Sequence, residues 1–241
     1  MIPRSHPRYL SLATRDAIVK GVENGVTSIH GLIAHGRGEA FDYLIGEKTR
    51  AFAKEAIRAA AVMLLKAKRP VISVNGNVCA LVPKEMVTLA KRLNAPLEVN
   101  IFHASKRREA AIKKALREAG AKNVLMPTRK AKLPFIDHNR KWVNPEGIAK
   151  ADIVFVPLED GDRCLALRKS GKKVVTIDLN PLSRTAKTAN VTIVDNIIRA
   201  LPLLNQEIEK MQRNTAAMRM SKYNNKSVLK RAEQEMRKSK E

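Results

Sequence analysis

The sequence predicts an α/β protein, with a mostly parallel sheet covered by helices on both faces and a helical N-terminal part. The first 70 residues have helical periodicity almost throughout. From Val71 to about Leu204, short apolar runs alternate with helical segments. These runs are almost continuously apolar, as in the strands of a parallel sheet that is buried on both faces.

Three helices are predicted in the N-terminal part. The first covers PRYLSLATRDAIVKGVENG, in which apolar residues recur at helical spacing. Thr27 or Ser28 can cap the second, which we expect to break at the GRG sequence of residues 36–38. The third covers KTRAFAKEAIRAAAVMLLKAKRP, which is rich in good helix formers and ends at Pro70.

The alternating region contains the predicted strands, and most of the segments between them are predicted helices. Three segments are exceptions, and one of them is the short polar insert NPLSRTAKTA between the last two strands. GNVCALVP is predicted as a turn or loop, and residues 127–150 form a predicted long loop of the kind that is usually functional or mobile. The predicted strands are VISVN, LEVNIF, NVLM, ADIVFVPL, KKVVTIDL and VTIVD.

The composition limits the class of protein. The chain of 241 residues is 44% hydrophobic, which is enough for one large domain or two small ones. Its two cysteines, Cys79 and Cys164, stand in no CxxC or Cys/His array, so we expect no disulfide scaffold or zinc site and a reducing cytoplasm. We expect no signal peptide and no membrane span, since no apolar run of about 18 residues occurs.

The net charge of +23 indicates anionic partners, either nucleic acid or phosphorylated small molecules. The charge is spread along the chain and is dense between Lys106 and Lys150. A solvated basic surface explains most of these residues without any function. Aromatic residues make up 4% of the chain, which is fewer than proteins that stack single-stranded bases usually have.

Polar groups follow the predicted strands at five places. In an open parallel sheet, ligands bind beyond the carboxyl ends of the strands, so we expect these residues to converge on one rim. At any single strand end, Asn, Asp and Gly are explained as turn residues, but that explanation is weaker for five ends together. The five segments are residues 74–77, 100–106, 157–163, 178–185 and 194–197.

Several of these residues suit a nucleotide, although the GxGxxG fingerprint and the Walker A phosphate loop are both missing. Asp178 can accept hydrogen bonds from ribose hydroxyls, and Arg184 can pair with phosphate oxygens. Asn196 offers an amide at a helix N-terminus that favours an anion, but taken alone it is more simply an N-cap. Arg37 stands between two glycines that let a ligand approach the backbone, and we favour a phosphate contact there.

The EDGDR stretch has two interpretations. Its acids Glu159, Asp160 and Asp162 can hold magnesium beside phosphates, with water completing the coordination shell. They can equally form an acid-rich first helical turn, which suits the helix dipole. His138 lies in the long loop, where it either faces a substrate or is merely exposed.

Five stretches carry a resemblance to a known family: IPRSHPRYLSL, GLIAHGRGEAFDYLIGEKT, RPVISVNGNVCALVPKE, VFVPLEDGDR and IDLNPLSRTAKTANVTIVDNIIRA. Together they closely resemble the archaeal phosphopantothenate synthetases, also called 4-phosphopantoate–β-alanine ligases, from Ile2 to about Leu204. The resemblance implies ATP-dependent condensation of 4-phosphopantoate with β-alanine, giving 4'-phosphopantothenate, AMP and pyrophosphate on the archaeal route to coenzyme A. It also implies a homodimer with a Rossmann-like core and a helical N-terminal part. We further expect Mg²⁺ as a cofactor beside the phosphates.

The same resemblance implies site residues, motif by motif. The implied nucleotide contacts are Arg15, Arg37, Asp178, Leu179, Asn180, Arg184, Thr185, Asn196 and Ile197. The candidates for phosphopantoate, β-alanine and magnesium are Asn75, Gly76, Asn77, His138, Glu159, Asp160 and Asp162. No catalytic side chain and no definite metal ligand are assigned.

We predict a helical N-terminal part at 1–70, a Rossmann-like nucleotide-binding core at 71–212 and a loosely attached basic extension at 213–241. Two other functions remain open at this point. A basic nucleic-acid-binding protein would explain the charge, although no motif for it is visible. A nicotinamide dehydrogenase could use a similar sheet, but the missing glycine fingerprint argues against it.

Overall fold

A six-stranded parallel sheet lies at the centre of the molecule, and its strands follow the spatial order Val124–Leu125, Leu97–Val99, Pro70–Val74, Ile153–Phe155, Lys173–Ile177 and Val191–Ile193. It belongs to a computed structural model that describes residues 3–218 and 222–238. The arrangement, with helices on both faces of the sheet, confirms the predicted α/β fold. The strands are β1 (Pro70–Val74), β2 (Leu97–Val99), β3 (Val124–Leu125), β4 (Thr128–Lys132), β5 (Trp142–Val143), β6 (Ile153–Phe155), β7 (Lys173–Ile177) and β8 (Val191–Ile193).

Two hydrophobic cores form, one on each face of the sheet. Side chains alternate between them along each strand, so that Val71 packs in the smaller core and Ile72 in the larger one. The helices are α1 (Tyr9–Glu23), α2 (Ile29–Ile45), α3 (Ala51–Leu65), α4 (Gly76–Leu81), α5 (Pro83–Leu93), α6 (Lys106–Glu118), α7 (Gly161–Lys169), α8 (Arg184–Thr188), α9 (Ile197–Arg213) and α10 (Asn225–Lys238). No helix among the described residues is long and apolar enough to cross a membrane.

The predicted break in the second helix is wrong. Ser28 caps α2 by accepting a hydrogen bond from the Gly31 amide, and the helix then runs unbroken through Gly36 and Gly38. A glycine inside a helix costs about 1 kcal/mol relative to alanine, which tertiary packing can offset. A Cβ on Gly38 would lie 3.6 Å from Cδ1 of Leu179, in ordinary van der Waals contact, and nothing lies within 4 Å of a Cβ on Gly36.

The segment GNVCALVP, predicted as a turn or loop, is instead the short helix α4. Asn75 caps it, because its side chain accepts a hydrogen bond from the Val78 amide at 3.1 Å. Val78 and Cys79 are buried against neighbouring helices, so tertiary packing stabilises a helix too short to be recognised by its period.

Residues 127–150 were predicted as a long loop, but they carry a second small sheet. The antiparallel pair β4–β5 and a short 3-10 helix at Asn139–Lys141 lie within this segment. Buried Glu98 of β2 holds the segment down, accepting hydrogen bonds from the amides of Asn144 and Ile148 at 2.9 and 2.6 Å. The strand in TRKAK was not predicted, because three of its five residues are cationic and the segment lacks the apolar pattern of a strand.

The expectation of a loosely attached C-terminal extension is wrong for residues 225–238. Helix α10 buries Val228, Leu229, Ala232 and Met236 against α2 and α3. The predicted extension also includes residues 219–221 and 239–241, which lie outside the described residues. The predicted division into three parts, with its two boundaries, stays a prediction.

Candidate active site

A pocket of about 400 Å³ opens at the carboxyl ends of β6, β7 and β8. We call it pocket A. Helix α2 and the N-terminal ends of α7, α8 and α9 surround it, as expected for the ligand-binding rim of a parallel sheet. Eight of the nine residues predicted to contact a nucleotide line it: Arg37, Asp178, Leu179, Asn180, Arg184, Thr185, Asn196 and Ile197.

The turn after β7 is organised by Asp178. Its carboxylate accepts hydrogen bonds from the Asn180 amide at 2.9 Å and from the Ser183 hydroxyl. Burial raises the pKa of Asp178, while these two hydrogen bonds oppose the rise. A carboxylate has about four acceptor positions, so Asp178 can still receive a ligand hydroxyl without losing the turn.

Arg184 projects from the first residue of α8 beside the start of α7. Its exposed Nη2 lies 2.5 Å from Oδ1 of Asp162, and such exposed pairs contribute little stability, so the guanidinium is free to exchange this partner for a ligand anion. Gly161 permits this approach of the two helices, since a Cβ on it would lie 2.5 Å from the Cβ of Arg184.

Asn196 is the N-cap of α9, as its simplest interpretation predicted. Its Oδ1 accepts a hydrogen bond from the Ile198 amide at 3.3 Å, and its Nδ2 donates to Asp42 of α2 at 2.8 Å. The backbone start of α9, rather than the Asn196 side chain, is therefore the part of this helix that can receive an anion in pocket A.

A buried ion network lies directly beneath Asn196. Arg199 contacts Asp42 at 2.5 Å and Asp195 at 2.7 Å, and Asp195 also accepts a hydrogen bond from the Thr49 hydroxyl at 2.6 Å. Sequence reasoning missed this network. The only local signal was the i,i+4 spacing of Asp195 and Arg199, since Asp42 is more than 150 positions away in the chain.

Arg15 does not line pocket A. Its Nε forms an ion pair with Glu39 of α2 at 3.1 Å. The same Glu39 lies 3.9 Å from Nε2 of His35, which does line the pocket. Burial lowers the pKa of His35, so its neutral form is favoured there.

A second pocket, of about 340 Å³, adjoins the first; we call it pocket B. The two share a wall formed by Ala34, Arg37, Asn77, Leu158 and Glu159. Because the pockets share this wall, a ligand bound in pocket A and a ligand bound in pocket B would lie next to each other there.

The VNGN motif forms one side of pocket B and ties three elements together. Asn75 donates to the carbonyls of Pro157 and Leu158, both at 3.0 Å, and Asn77 donates to the carbonyl of Gly31 at 2.9 Å. Gly76 allows the close approach, because a Cβ there would lie 2.6 Å from the Val26 carbonyl oxygen. The motif is thus a rigid part of the pocket wall.

The acids of EDGDR are engaged by arginines. Glu159 is fully buried between the guanidinium groups of Arg140 and Arg163. Asp160 caps α7 through the Arg163 amide at 2.8 Å and contacts Arg140 at 2.5 Å. Burial alone would raise the pKa of Asp160. Arg140 and the Arg163 amide outweigh this effect and hold the pKa of Asp160 below its ordinary value. Neither arginine was predicted, because both contacts depend on the folded path of the chain.

These contacts bear on the expected magnesium. The carboxylates of Glu159 and Asp160 form ion pairs with guanidinium groups, and Asp162 forms an ion pair with Arg184 at the surface. Within residues 3–218 and 222–238, no group of three or more His, Cys, Asp or Glu side chains is placed to hold a metal. Glu159 is thus held between two arginines, whereas a magnesium role for Asp160 or Asp162 stays a prediction, because one or two carboxylates beside phosphates are enough for that ion.

His138 lies behind pocket B rather than in its lining. Its Nδ1 accepts a hydrogen bond from the Arg140 amide at 3.4 Å, and its ring centroid is 4.9 Å from that of Phe102. Phe102 lines the pocket, as do His30 and His103, whose ring centroids are 4.5 Å apart.

Pocket B carries positive charge that sequence reasoning did not assign to a site. Arg108 of α6 donates to the carbonyl of His103 at 2.7 Å and forms no ion pair among the described residues. Its Nη2 is 3.1 Å from the position a Cβ of Gly76 would take, so the cation stands beside the VNGN motif. Arg37 is likewise without an acidic partner in the described part of the chain.

Comparison with known proteins decides the family. The model of the phosphopantothenate/pantothenate synthetase family matches residues 52–239. The chain belongs to this family. The resemblance that the sequence motifs predicted is thereby confirmed.

Curated relatives of this phosphopantothenate/pantothenate synthetase family member cover almost its whole length. A 4-phosphopantoate–β-alanine ligase of Thermococcus onnurineus is 51% identical over 95% of this chain and 89% of the relative. A ligase of the same name from Methanosarcina mazei is 50% identical over 96% of this chain and 92% of the relative. A third, from Methanospirillum hungatei, is 50% identical over 83% of this chain and 82% of the relative.

Proposed function

We propose that this chain is an ATP-dependent ligase that joins 4-phosphopantoate to β-alanine, forming 4'-phosphopantothenate, AMP and pyrophosphate in coenzyme A biosynthesis. The proposal is supported by relatives at about half identity that carry the ligase name over nearly the same length. A ligase of this family implies an ATP co-substrate. The structural observation that supports it best is the pair of adjoining pockets with Arg37 in their shared wall.

ATP occupies pocket A in this proposal. Arg184 and the start of α9 contact phosphates, because one carries an exposed guanidinium and the other presents the positive end of a helix dipole. Asp178 accepts from the ribose. Arg15 reaches the nucleotide only after giving up Glu39, so its contribution is smaller than that of Arg184.

4-Phosphopantoate occupies pocket B. Its phosphate lies towards Arg108, His30 and His103, because Arg108 forms no ion pair with any residue that the structure describes. Its carboxylate then points to the shared wall and Arg37. Asn75, Gly76 and Asn77 shape the pocket. Glu159 and Asp160 act by holding Arg140 and α7 in place, and they do not contact substrate.

The chemistry follows from this end-to-end arrangement. A carboxylate is a poor electrophile because its charge repels nucleophiles and oxide is a poor leaving group. The phosphopantoate carboxylate oxygen attacks the α-phosphorus of ATP, forming an acyl–phosphate bond and releasing pyrophosphate. The amine of β-alanine then attacks the activated carbonyl carbon, loses a proton and expels AMP.

The protein contributes position and electrostatics rather than a covalent intermediate. Arg37 and Arg184 stand where negative charge gathers, and the rigid VNGN wall keeps the two reactants aligned. Mg²⁺ enters the proposal as the counter-ion of the triphosphate, with waters completing its coordination shell.

We also propose that the enzyme works as a cytoplasmic homodimer. Of the eleven large hydrophobic side chains that are exposed in the described residues, seven lie on α1 and α2. Ile29 and Ile33 are 66% and 61% exposed on one side of α2. A second copy packed on this face would remove them from water.

An end-point assay for AMP tests the reaction. The enzyme is incubated with ATP, 4-phosphopantoate and β-alanine, and each is omitted in turn. Amide product and AMP in equal amounts, both requiring all three compounds, are expected. With phosphopantoate labelled by ¹⁸O in its carboxylate, one label should appear in AMP. AMP formed at the same rate without the acid and the amine would contradict the proposal.

A further inference from the structure

We propose that a basic strip on the sheet edge binds single-stranded nucleic acid, independently of the ligase reaction. The strip consists of the exposed residues Lys114, Arg117, Lys122, Arg129, Lys130 and Lys132. None of them lines pocket A or pocket B.

The density of positive charge is higher in this part of the chain than in the rest of it. Residues 106–132 hold ten Lys and Arg against two Glu, so they carry +8 of the total +23 in about a ninth of the chain. Elsewhere in the described chain, many arginines form ion pairs with acidic side chains, among them Arg50, Arg92 and Arg231. Among the described residues, the only ion pair in the strip is the exposed contact of Lys114 with Glu118 at 3.9 Å.

The strip follows the edge strand β3 around both faces of the sheet. Helix α6 packs through Ile112 and Leu116 into the larger core, whereas Leu133 and Val143, beside β4 and in β5, pack into the smaller core. Cations on α6 and β4 therefore lie on opposite sides of β3. A flexible single strand can follow such a path, but a stiff duplex cannot bend around it cheaply.

An aromatic side chain lies within the cationic surface. Trp142 of β5 is paired in register with Lys132, and its half-buried ring has the Arg129 guanidinium at 5.5 Å and the Lys141 ammonium at 5.6 Å from its centroid. An aromatic ring with neighbouring cations can stack on an unpaired base while the cations contact phosphates. With one such ring, binding depends mostly on phosphate and is insensitive to sequence.

Trp142 makes the test specific to this surface, because it is the only tryptophan in the chain. Full-length protein is titrated with a fluorescein-labelled 20-nucleotide RNA, the matching single-stranded DNA and a duplex, in 50–300 mM KCl. Fluorescein anisotropy measures binding of the nucleic acid, and the change in Trp142 fluorescence shows whether it binds at the strip. We expect both single strands to bind at 50 mM KCl, to quench Trp142, and to bind at least tenfold more tightly than the duplex.

A matched pair of variants separates the strip from general charge. The strip variant carries Arg117→Glu, Lys130→Glu and Lys132→Glu; the control carries Lys226→Glu, Lys230→Glu and Lys238→Glu on α10, with the same change in net charge. The strip variant should bind at least tenfold more weakly, with a salt dependence reduced by about two counter-ions. The control should bind within threefold of the wild type. A strip variant with glutamine at the three positions serves if the glutamate variant does not fold.

Four outcomes overturn the inference. They are no binding by the wild type at 50 mM KCl, equal losses in the two variants, binding without any change in Trp142 fluorescence, and tighter binding of the duplex. If the strip variant instead binds nucleic acid normally but loses kcat/KM for its anionic substrates, the strip steers small molecules and the inference is also wrong.

Discussion

Replacing Arg199 with methionine removes the cation from the network beneath pocket A. Methionine keeps most of the apolar length of the side chain, so the change is chiefly the loss of charge and of the hydrogen bonds to Asp42 and Asp195. Asp42 is 5% exposed and Asp195 is fully buried, so neither carboxylate can recover its solvation. Breaking a buried pair by removing one partner costs about 3–5 kcal/mol.

That magnitude predicts a measurable shift in stability. For a chain of this size, 1 kcal/mol corresponds to about 2–4 °C in Tm, so Tm should fall by about 6–20 °C. Burial already raises the pKa of Asp195, and the loss of Arg199 removes the charge that opposes this rise, so the neutral form of Asp195 is favoured in the folded state. The deficit is therefore largest at pH 8 and shrinks as pH falls towards 5.

The control is Arg213→Met on the same helix. Arg213 contacts Glu209 at 2.5 Å but is 76% exposed, and exposed pairs contribute about 0–1 kcal/mol. Thermal unfolding of wild type and both variants is measured at pH 8 and pH 5, with KM for ATP measured at pH 8. We expect KM to rise in Arg199→Met because Asp42, which accepts the Asn196 hydrogen bond, loses the guanidinium that holds it in place. Equal stability of the two variants, or a deficit that grows on acidification, would refute the reasoning.

Three further predictions address the pockets and the assembly. Arg184→Ala should lower kcat/KM for ATP by about tenfold to a hundredfold, since hydrogen bonds to charged groups contribute about 1.5–3 kcal/mol, and unchanged kinetics would remove Arg184 from the mechanism. Gly161→Ala should weaken ATP binding in calorimetry and lower Tm by about 2–12 °C, because its Cβ would lie 2.5 Å from that of Arg184 and overpacking costs about 1–3 kcal/mol. Ile33→Glu should give a monomer in light scattering while Leu165→Glu, on α7, stays dimeric; a dimeric Ile33→Glu protein would place the interface elsewhere.

The strands of the main sheet could be predicted from the sequence, because the pattern that indicates a buried strand lies within the strand itself. Runs such as VVTI are buried on both faces, and their apolar continuity predicts a parallel strand without knowledge of its neighbours. The convergence of Asp178, Arg184 and Asn196 on one pocket followed from the rule that ligands bind at the carboxyl ends of strands.

Features that depend on distant partners escaped prediction. The GRG sequence looked like a helix break, because nothing local shows that α2 is held by its contacts. Arg140 looked like one more surface cation, although it is buried against Glu159 and Asp160 about twenty positions away. Helix α10 has only four buried residues, too short a stripe to separate from a solvated basic tail.

The same limit explains the two interpretations of EDGDR. A carboxylate that holds magnesium and one that suits the first turn of a helix have the same sequence pattern; in the fold Asp160 caps α7, Asp162 lies in its first turn, and Arg140 and Arg163 engage Glu159. Spacing in the sequence cannot provide that information.

A crystal structure with a non-hydrolysable ATP analogue and 4-phosphopantoate tests the central claim most directly. We expect the α-phosphorus in pocket A and the substrate carboxylate in pocket B, both beside Arg37 and within about 3.5 Å of each other. A triphosphate bound away from Asp178, Arg184 and the start of α9, or a carboxylate facing away from Arg37, would contradict it.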